Sequence, residues 1–540
     1  MTATLSPARG RTGSRAASSH LTGTGAMVRL ALRRDRIKLP IWVLAITVLV
    51  PRFYYAAVTT VVPTPEAMAE AAQMIRVSFM RVLAGPLFGE VTSQRYFLAA
   101  YWVEFLLAAA LMNTLLITRH TRAEEQTGRA ELIRAAVVGR HAQLTAALIV
   151  ASIGNAVLAV FTAAAAISIG FPTGSALLFG ASLAAAGLVF AAVAAVTAQI
   201  TGHPRGASGL AGVALFVAWI LRGAGAMQSQ EGGPLFWLSP IGWSQQTRVL
   251  TDERWWPLGI SALVTGLLVA GAYALAGRRD LGAALVAPRP GRASAPSWLR
   301  SPFTLALRLQ QAAIGWWGAA FLAVGLVLGG MTGGMSNTDL PIFAGADFGR
   351  AWVSLMVFTG SLYTGVFAVL SVVRLRAEEV RGRIGPVLAG PTGRSTWLGS
   401  SLLISALAAV TLLAVYGAAL GVGAAVSTGD VGLVGEVIWA SLIRIPEVLV
   451  LLAVPAALLG LAPRAISVAW AVLVYSGFVQ ILGSYWGVPG WLVNTSVLSH
   501  LPWHPLGSFA PVATVVLLAL AAALTILGLY GFRRRDLASD

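Results

Sequence analysis

Runs of about 20 mostly apolar residues, long enough to cross a bilayer as a helix, alternate along this chain with short polar segments. They predict twelve spans. The first six lie near 40–62, 96–118, 144–169, 176–201, 209–227 and 257–277, and the second six near 312–331, 350–373, 399–427, 435–461, 465–488 and 509–532. Pro51 and Arg52 interrupt the first run, which predicts a kink there. Ahead of it, Val28, Leu32 and Leu39 fall on one helical face and Arg29, Arg33 and Arg36 on another. That pattern predicts an amphipathic helix lying in the membrane interface. Residues 303–311 (FTLALRLQQ) offer a shorter counterpart before the seventh span.

The pattern is also repeated. Arg122-Ala123-Glu124-Glu125-x-x-Gly128-Arg129 returns as Arg376-Ala377-Glu378-Glu379-x-x-Gly382-Arg383, and nine of the nineteen positions in 122–140 are identical in 376–394. Gly139-Arg140 matches Gly393-Arg394, Pro204-Arg205 matches Pro463-Arg464, and Leu238-Ser239 with Trp243 matches Leu498-Ser499 with Trp503. Arg278-Arg279-Asp280-Leu281 matches Arg534-Arg535-Asp536-Leu537. Matches that stay in order at a near-constant shift indicate a duplication, and six spans per copy give both copies the same orientation. The expected fold class is therefore an all-α integral membrane protein. It has twelve transmembrane helices as two tandem parallel six-helix repeats, amphipathic interfacial helices and short cytoplasmic coupling helices. The expected organisation is a disordered cytoplasmic tail over 1–25, a first half over 26–277, a proline-rich flexible linker over 278–302 and a second half over 303–540.

Composition narrows the function. Hydrophobic residues make up 57% of the chain and charged residues 11%, where a soluble domain carries about 25% charged. Too few polar side chains are present to cover a water-soluble globule of this size. With no cysteine, a disulfide framework, a thiol nucleophile and a thiolate metal site are excluded, and the six histidines are scattered. The net charge of +17 raises the question of nucleic acid. Most of the 38 basic residues, however, fall in the segments that would be cytoplasmic with the amino terminus inside. Both termini are expected in the cytoplasm of a bacterium whose cell membrane the chain spans, with lipid and no nucleic acid as partners.

The segments that follow the second span of each copy carry paired carboxylates among arginines, and the repetition of that pattern is read as a docking surface for a cytoplasmic partner. It resembles the permease signature of type-two ABC exporters, most closely the actinobacterial group that exports polyketide and ionophore (tetronasin-like) antibiotics. The resemblance covers nearly the whole chain. It implies that two six-span units form a translocation path for a hydrophobic or amphiphilic compound, with two copies of a separate ATPase docked on the coupling segments. Arg122, Glu124, Glu125, Gly128 and Arg129 would form one such segment, and Arg376, Glu378, Glu379, Gly382 and Arg383 the other. Gly385-Pro386 replaces Glu131-Leu132 in the second copy, which sets the two apart. A phosphate-binding loop needs Gly-x-x-x-x-Gly-Lys-Ser/Thr. The sole lysine, Lys38, lies in Asp-Arg-Ile-Lys-Leu, so ATP and magnesium are expected on the partner, with no cofactor in this chain.

Charges inside spans are costly and therefore candidates for the substrate path. Arg444 and Glu447 share one face of the tenth span. They serve either an anionic or polyether substrate or only each other. Glu104 lies in the second span, with Phe358 at the duplicated position. It is read as an interfacial carboxylate or a path residue, and Arg222 as an interfacial anchor. Phe236, Trp237, Trp243, Trp255, Trp256, Trp486, Trp491 and Trp503 suggest an interface belt. The rival readings are a proton-coupled secondary drug antiporter using Glu104 or Glu447, and a lipid-modifying membrane enzyme.

Overall fold

The computed structural model describes residues 20–48, 54–76, 80–127, 138–279, 283–286, 293–336, 348–482, 488–502 and 509–537, which are mostly helical with no strand among them. The chain divides into two compact units, Met1–Gly291 and Arg292–Asp540. Among the described residues, ten helices are long and apolar enough to cross a membrane. The other two expected spans appear as shorter apolar helices, Lys38–Val48 and Val468–Ile481. Pro51 and Arg52, the expected kink, lie outside the described residues, as does the tail over 1–19.

Unit 1 begins with α1 (Thr24–Asp35) and α2 (Lys38–Val48), followed by the short helices α3 (Ala56–Val61), α4 (Pro65–Arg76) and α5 (Met80–Leu83). Its long helices are α6 (Ser93–Gln126), α7 (Ala142–Ser168), α8 (Thr173–Ile200), α9 (Pro204–Gln228) and α11 (Trp256–Gly277), with α10 (Pro240–Gln245) between the last two. In α1, Ala31 is buried with Leu144 and Ala147 of α7, Val28 and Leu32 pack beside it, and Arg29, Arg33 and Arg36 are exposed. The amphipathic pattern thus forms a separate helix, ended at Arg36 before α2 begins.

At the centre of unit 1, α8 is rich in alanine and glycine and lets its neighbours come close. A Cβ on Gly187 would sit 2.1 Å from Asn155 Oδ1 and 2.6 Å from Asn113 Nδ2. Those two buried amides pair reciprocally between α6 and α7, at 3.0 and 2.7 Å. Each also donates to the carbonyl four residues back, Ala109 or Ala151. Inside lipid an amide without a partner is expensive, so this pair fixes the register of the two helices.

Unit 2 contains α12 (Pro302–Gly330), α13 (Phe348–Val380), α14 (Arg394–Thr428), α15 (Gly432–Ile443), α16 (Ile445–Leu461), α17 (Val468–Leu482) and α18 (Pro511–Arg534). Here residues 303–311 form no separate interfacial helix. A capping box of Ser301 and Thr304, with Pro302 in the first turn, starts α12 directly, and nothing interrupts it before Gly330. Glycines again set the closest approaches. A Cβ on Gly528 of α18 would meet the Ala456 carbonyl oxygen of α16 at 2.5 Å, and one on Gly460 would meet the Gly528 oxygen at 2.1 Å. Because backbone occupies that space, Gly528→Ala should destabilise the protein by about 1–3 kcal/mol. Gly266→Ala on α11, where the space is open, should leave thermal unfolding in detergent unchanged; equal melting of the two variants would contradict this packing.

Candidate functional site: the arginine-rich helix ends

The repeated Arg-Ala-Glu-Glu motif is helical, not a loop. α6 runs 34 residues and α13 runs 33. At roughly 1.5 Å per residue each measures about 50 Å, well beyond an apolar core of about 30 Å. The motif therefore occupies the last turns of both helices, beyond their apolar stretches. In α6 a π turn, Arg119–Ala123, precedes Glu124 and shifts the register of the final residues.

In unit 1, Arg122 is buried, at 1% exposure. Its Nε donates to the Ala198 carbonyl and its Nη2 to that of Gln199 (3.4 Å), near the end of α8. Its Nη1 donates to Glu125 (2.8 Å) and to the Ala283 carbonyl (3.0 Å). Arg279, just past α11, meets the same carboxylate with two nitrogens, at 2.8 and 3.1 Å, and reaches the Gln199 side chain at 2.7 Å. Helices end with carbonyls that lack partners within the helix, and these guanidinium groups fill that need while sharing Glu125. One cluster thus closes the ends of α6, α8 and α11.

Unit 2 builds the same cluster. Glu379, 1% exposed, accepts both terminal nitrogens of Arg535, at 2.5 and 2.7 Å, and pairs with Arg376 at 3.1 Å. The bond to the neighbouring helix end comes here from Arg535, whose Nε donates to Leu459 of α16 at 3.1 Å. The repeated Gly-Arg has a matching role. Arg140 donates to the carbonyls of Ala276, Gly277 and Arg279, and Arg394 to those of Arg533 and Arg535. Gly382 has a φ of 67°, the left-handed conformation that ends a helix and favours glycine. Gly128 and Arg129 lie outside the described residues.

The remaining acidic residues differ between the units. Glu124 pairs with Arg34 of α1 at 2.7 Å, while Glu378 and Arg383 pair at 3.0 Å and remain partly exposed. Asp35, at the end of α1, accepts from Arg119 and contacts the His120 ring, both at 2.6 Å. Burial pushes the Asp35 carboxyl up, but the contacts with His120 and Arg119 outweigh it and hold the group below the usual carboxylate range. Two polar contacts with the end of α6 therefore fasten α1 from Asp35 and a third from Arg34. The described part of the linker is not free either, since Leu285 and Val286 donate to the Gln199 and Ile200 carbonyls.

The charges within spans separate into three environments. Glu104 is exposed on α6. Arg444 and Glu447 are buried at the break between α15 and α16, with one Arg444 nitrogen 3.0 Å from both carboxylate oxygens and the guanidinium 5.6 Å from the centre of the Phe358 ring. Arg222 is not an interfacial anchor. It is fully buried and donates to the carbonyls of Arg81, Val82 and Ala84 at the end of α5. Among the aromatic residues, Trp237 stacks on Trp256 at 5.1 Å and Trp491 is exposed, while Trp486 and Trp503 lie outside the described residues. The linear motif gave no reason to join Asp35 with His120 or Asn113 with Asn155. Arg279 and Arg535 were visible only as repeated positions.

Removing a partner from a buried cluster leaves an uncompensated charge, at about 3–5 kcal/mol, whereas an exposed pair is worth about 0–1 kcal/mol. Glu125→Gln and Glu379→Gln should each lower the melting temperature in detergent markedly, and Glu378→Gln should not. The Asp35 contribution is complete above the ordinary carboxyl range and is lost as pH falls through the lowered value. Asp35→Asn should therefore flatten the acid side of a stability–pH curve; a curve parallel to that of the wild type would contradict the assignment.

Comparison with known proteins places these features in a family. A family model described as "Multidrug efflux system permease Rv1217c, C-terminal domain" matches residues 25–276 and 299–533. The multidrug efflux system permease protein Rv1217c of Mycobacterium tuberculosis (strain ATCC 25618 / H37Rv) is 37% identical over 530 residues, 96% of each chain. With its many apolar helices, the chain is a multi-pass membrane protein that belongs to the family of multidrug efflux system permeases.

Proposed function

We propose that this chain is the membrane-spanning subunit of an ABC-type exporter. It would move hydrophobic or amphiphilic compounds out of the cell, in the manner of the tetronasin-like antibiotic exporters it resembles. On this reading two copies of a cytoplasmic ATPase bind ATP and magnesium, and both termini of the permease lie in the cytoplasm. Lys38–Val48 and Val468–Leu482 belong to the first and eleventh of twelve spans in two tandem six-span halves. The match of the family model to two long stretches fits that duplication.

The observation that carries the proposal is the buried arginine–glutamate–arginine cluster at the end of α6, found again at the end of α13. A partner pressing on the projecting end of α6 would act through Glu125 on α8 and α11 together. One pressing on α13 would act through Glu379 on α16 and α18. Within each segment the contacts divide the labour. Arg122, Glu125, Arg376 and Glu379 transmit force inside the chain and Glu124 ties α6 to α1 through Arg34, while Glu378, Gly382 and Arg383 form the docking side, to which Gly128 and Arg129 are assigned by the repeated motif alone. The sequence contains no phosphate-binding loop, so the fuel is assigned to the partner.

Glu378→Ala combined with Arg383→Ala, both on partly exposed side chains, should weaken retention of the ATPase by the purified complex while the permease still inserts and melts near the wild-type temperature. Export should stop when the partner ATPase is inactivated and should continue when the proton gradient is collapsed with ATP held constant. Export that survives ATPase inactivation but fails with an uncoupler would transfer the function to a proton-coupled antiporter.

A further inference from the structure

Glu104 combines a charge with an exposed position deep along an apolar helix. It lies eleven residues into α6 from Ser93, roughly 16 Å along the axis, and its sequence neighbours Trp102, Val103, Phe105 and Leu106 are buried. Leu111 and Leu115, also exposed, continue the same open face of unit 1. A carboxylate at such a depth is tolerated when something compensates it. Among the described residues its polar partner is the Tyr54 hydroxyl, and no described arginine or lysine pairs with it. Tyr54 itself lies 4.2 Å from Tyr101 between ring centres and meets Phe105 edge-on at 5.5 Å. Tyr101 is one helical turn before Glu104 and, like Tyr54, half-buried.

We propose that Glu104, Tyr54 and Tyr101 form a binding site in unit 1 for a hydrophobic organic cation, such as a quaternary phosphonium or ammonium ion or a protonated lipophilic amine. The carboxylate supplies the counter-charge, the phenol rings offer the electron-rich faces that attract cations, and the apolar flank suits a greasy body. A small metal cation is a poor match, because calcium and magnesium take about six or more oxygen ligands. The position aligned with Glu104 in unit 2 is Phe358, whose ring is met by the Arg444 guanidinium. Phe358 is buried and uncharged, and Arg444 is already paired with Glu447, so unit 2 offers no counter-charge for such a ligand at that position. As a cargo site this deepens the export reading and rests on it, but the binding itself is independent of it.

The test uses the full-length chain in detergent, with tetraphenylphosphonium as the cation and triphenylphosphine oxide as a neutral probe of similar shape, each measured by equilibrium dialysis. Wild type should bind the phosphonium saturably. Glu104→Gln should weaken it about ten-fold or more and leave the neutral probe unchanged, while Glu104→Asp should restore part of the affinity. Unchanged phosphonium affinity in Glu104→Gln would overturn the site, as would an equal loss of both probes or no saturable cation binding by wild type. Saturable, Glu104-dependent binding in detergent without phosphonium export from cells would remove the cargo role and leave the binding site standing.

Discussion

Everything at the arginine-rich end of each unit depends on carbonyls and carboxylates that cannot be left without donors. The helices are long, apolar and close-packed, so their ends carry most of the polar obligations of the fold. Guanidinium is suited to that task because one planar group serves a carboxylate and a backbone oxygen together. Arg122 does so at the end of α8 and Arg535 at the end of α16. The carboxylate then bridges two such groups and offsets one of their two charges, which lowers the cost of burying the cluster. A fold closed this way ties several helix ends through one carboxylate.

The two units use this device with different surroundings. In unit 1 the end of α6 also holds α1, through Arg34–Glu124 and Asp35 with Arg119 and His120. In unit 2 the corresponding glutamate, Glu378, turns instead to Arg383 on its own segment, and α12 begins without a separate preceding helix of that kind. The end of α6 is therefore tied to an amphipathic helix by contacts that the described residues at the end of α13 do not make. The sequence hints at such inequality in Gly385-Pro386, where the structure has only the single helical turn Gly385–Leu388.

Most of the helical architecture was legible in the sequence because apolar runs near bilayer length have few alternatives. The exceptions follow from local physics. Residues 303–311 join α12 because their amphipathic pattern contains no break. The Arg-Ala-Glu-Glu motif was legible as a repeat, but its division into buried and exposed residues was not. Glu124 and Glu125 are adjacent in sequence, yet one turns toward Arg34 and the other into a cluster completed by Arg279, more than 150 residues away. Arg222 was misread for a similar reason. An arginine near the end of a span resembles a lipid anchor until the carbonyls of a distant short helix are seen to be its partners.

The arginines read as the topology signal are in part the same groups that cap helix ends. Arg140 and Arg394 lie in segments expected to face the cytoplasm, and both donate to the last carbonyls of a span. A positive charge near a helix carboxyl terminus is favourable for the helix dipole as well as for hydrogen bonding. The side chains expected to set orientation thus also close helix ends. Replacing such an arginine by lysine keeps the charge and forfeits the planar fork, whereas moving it along the loop keeps the orientation and forfeits the cap. That separation explains why the repeated residues recur at fixed distances from the span ends, when orientation alone would ask only for an excess of positive charge.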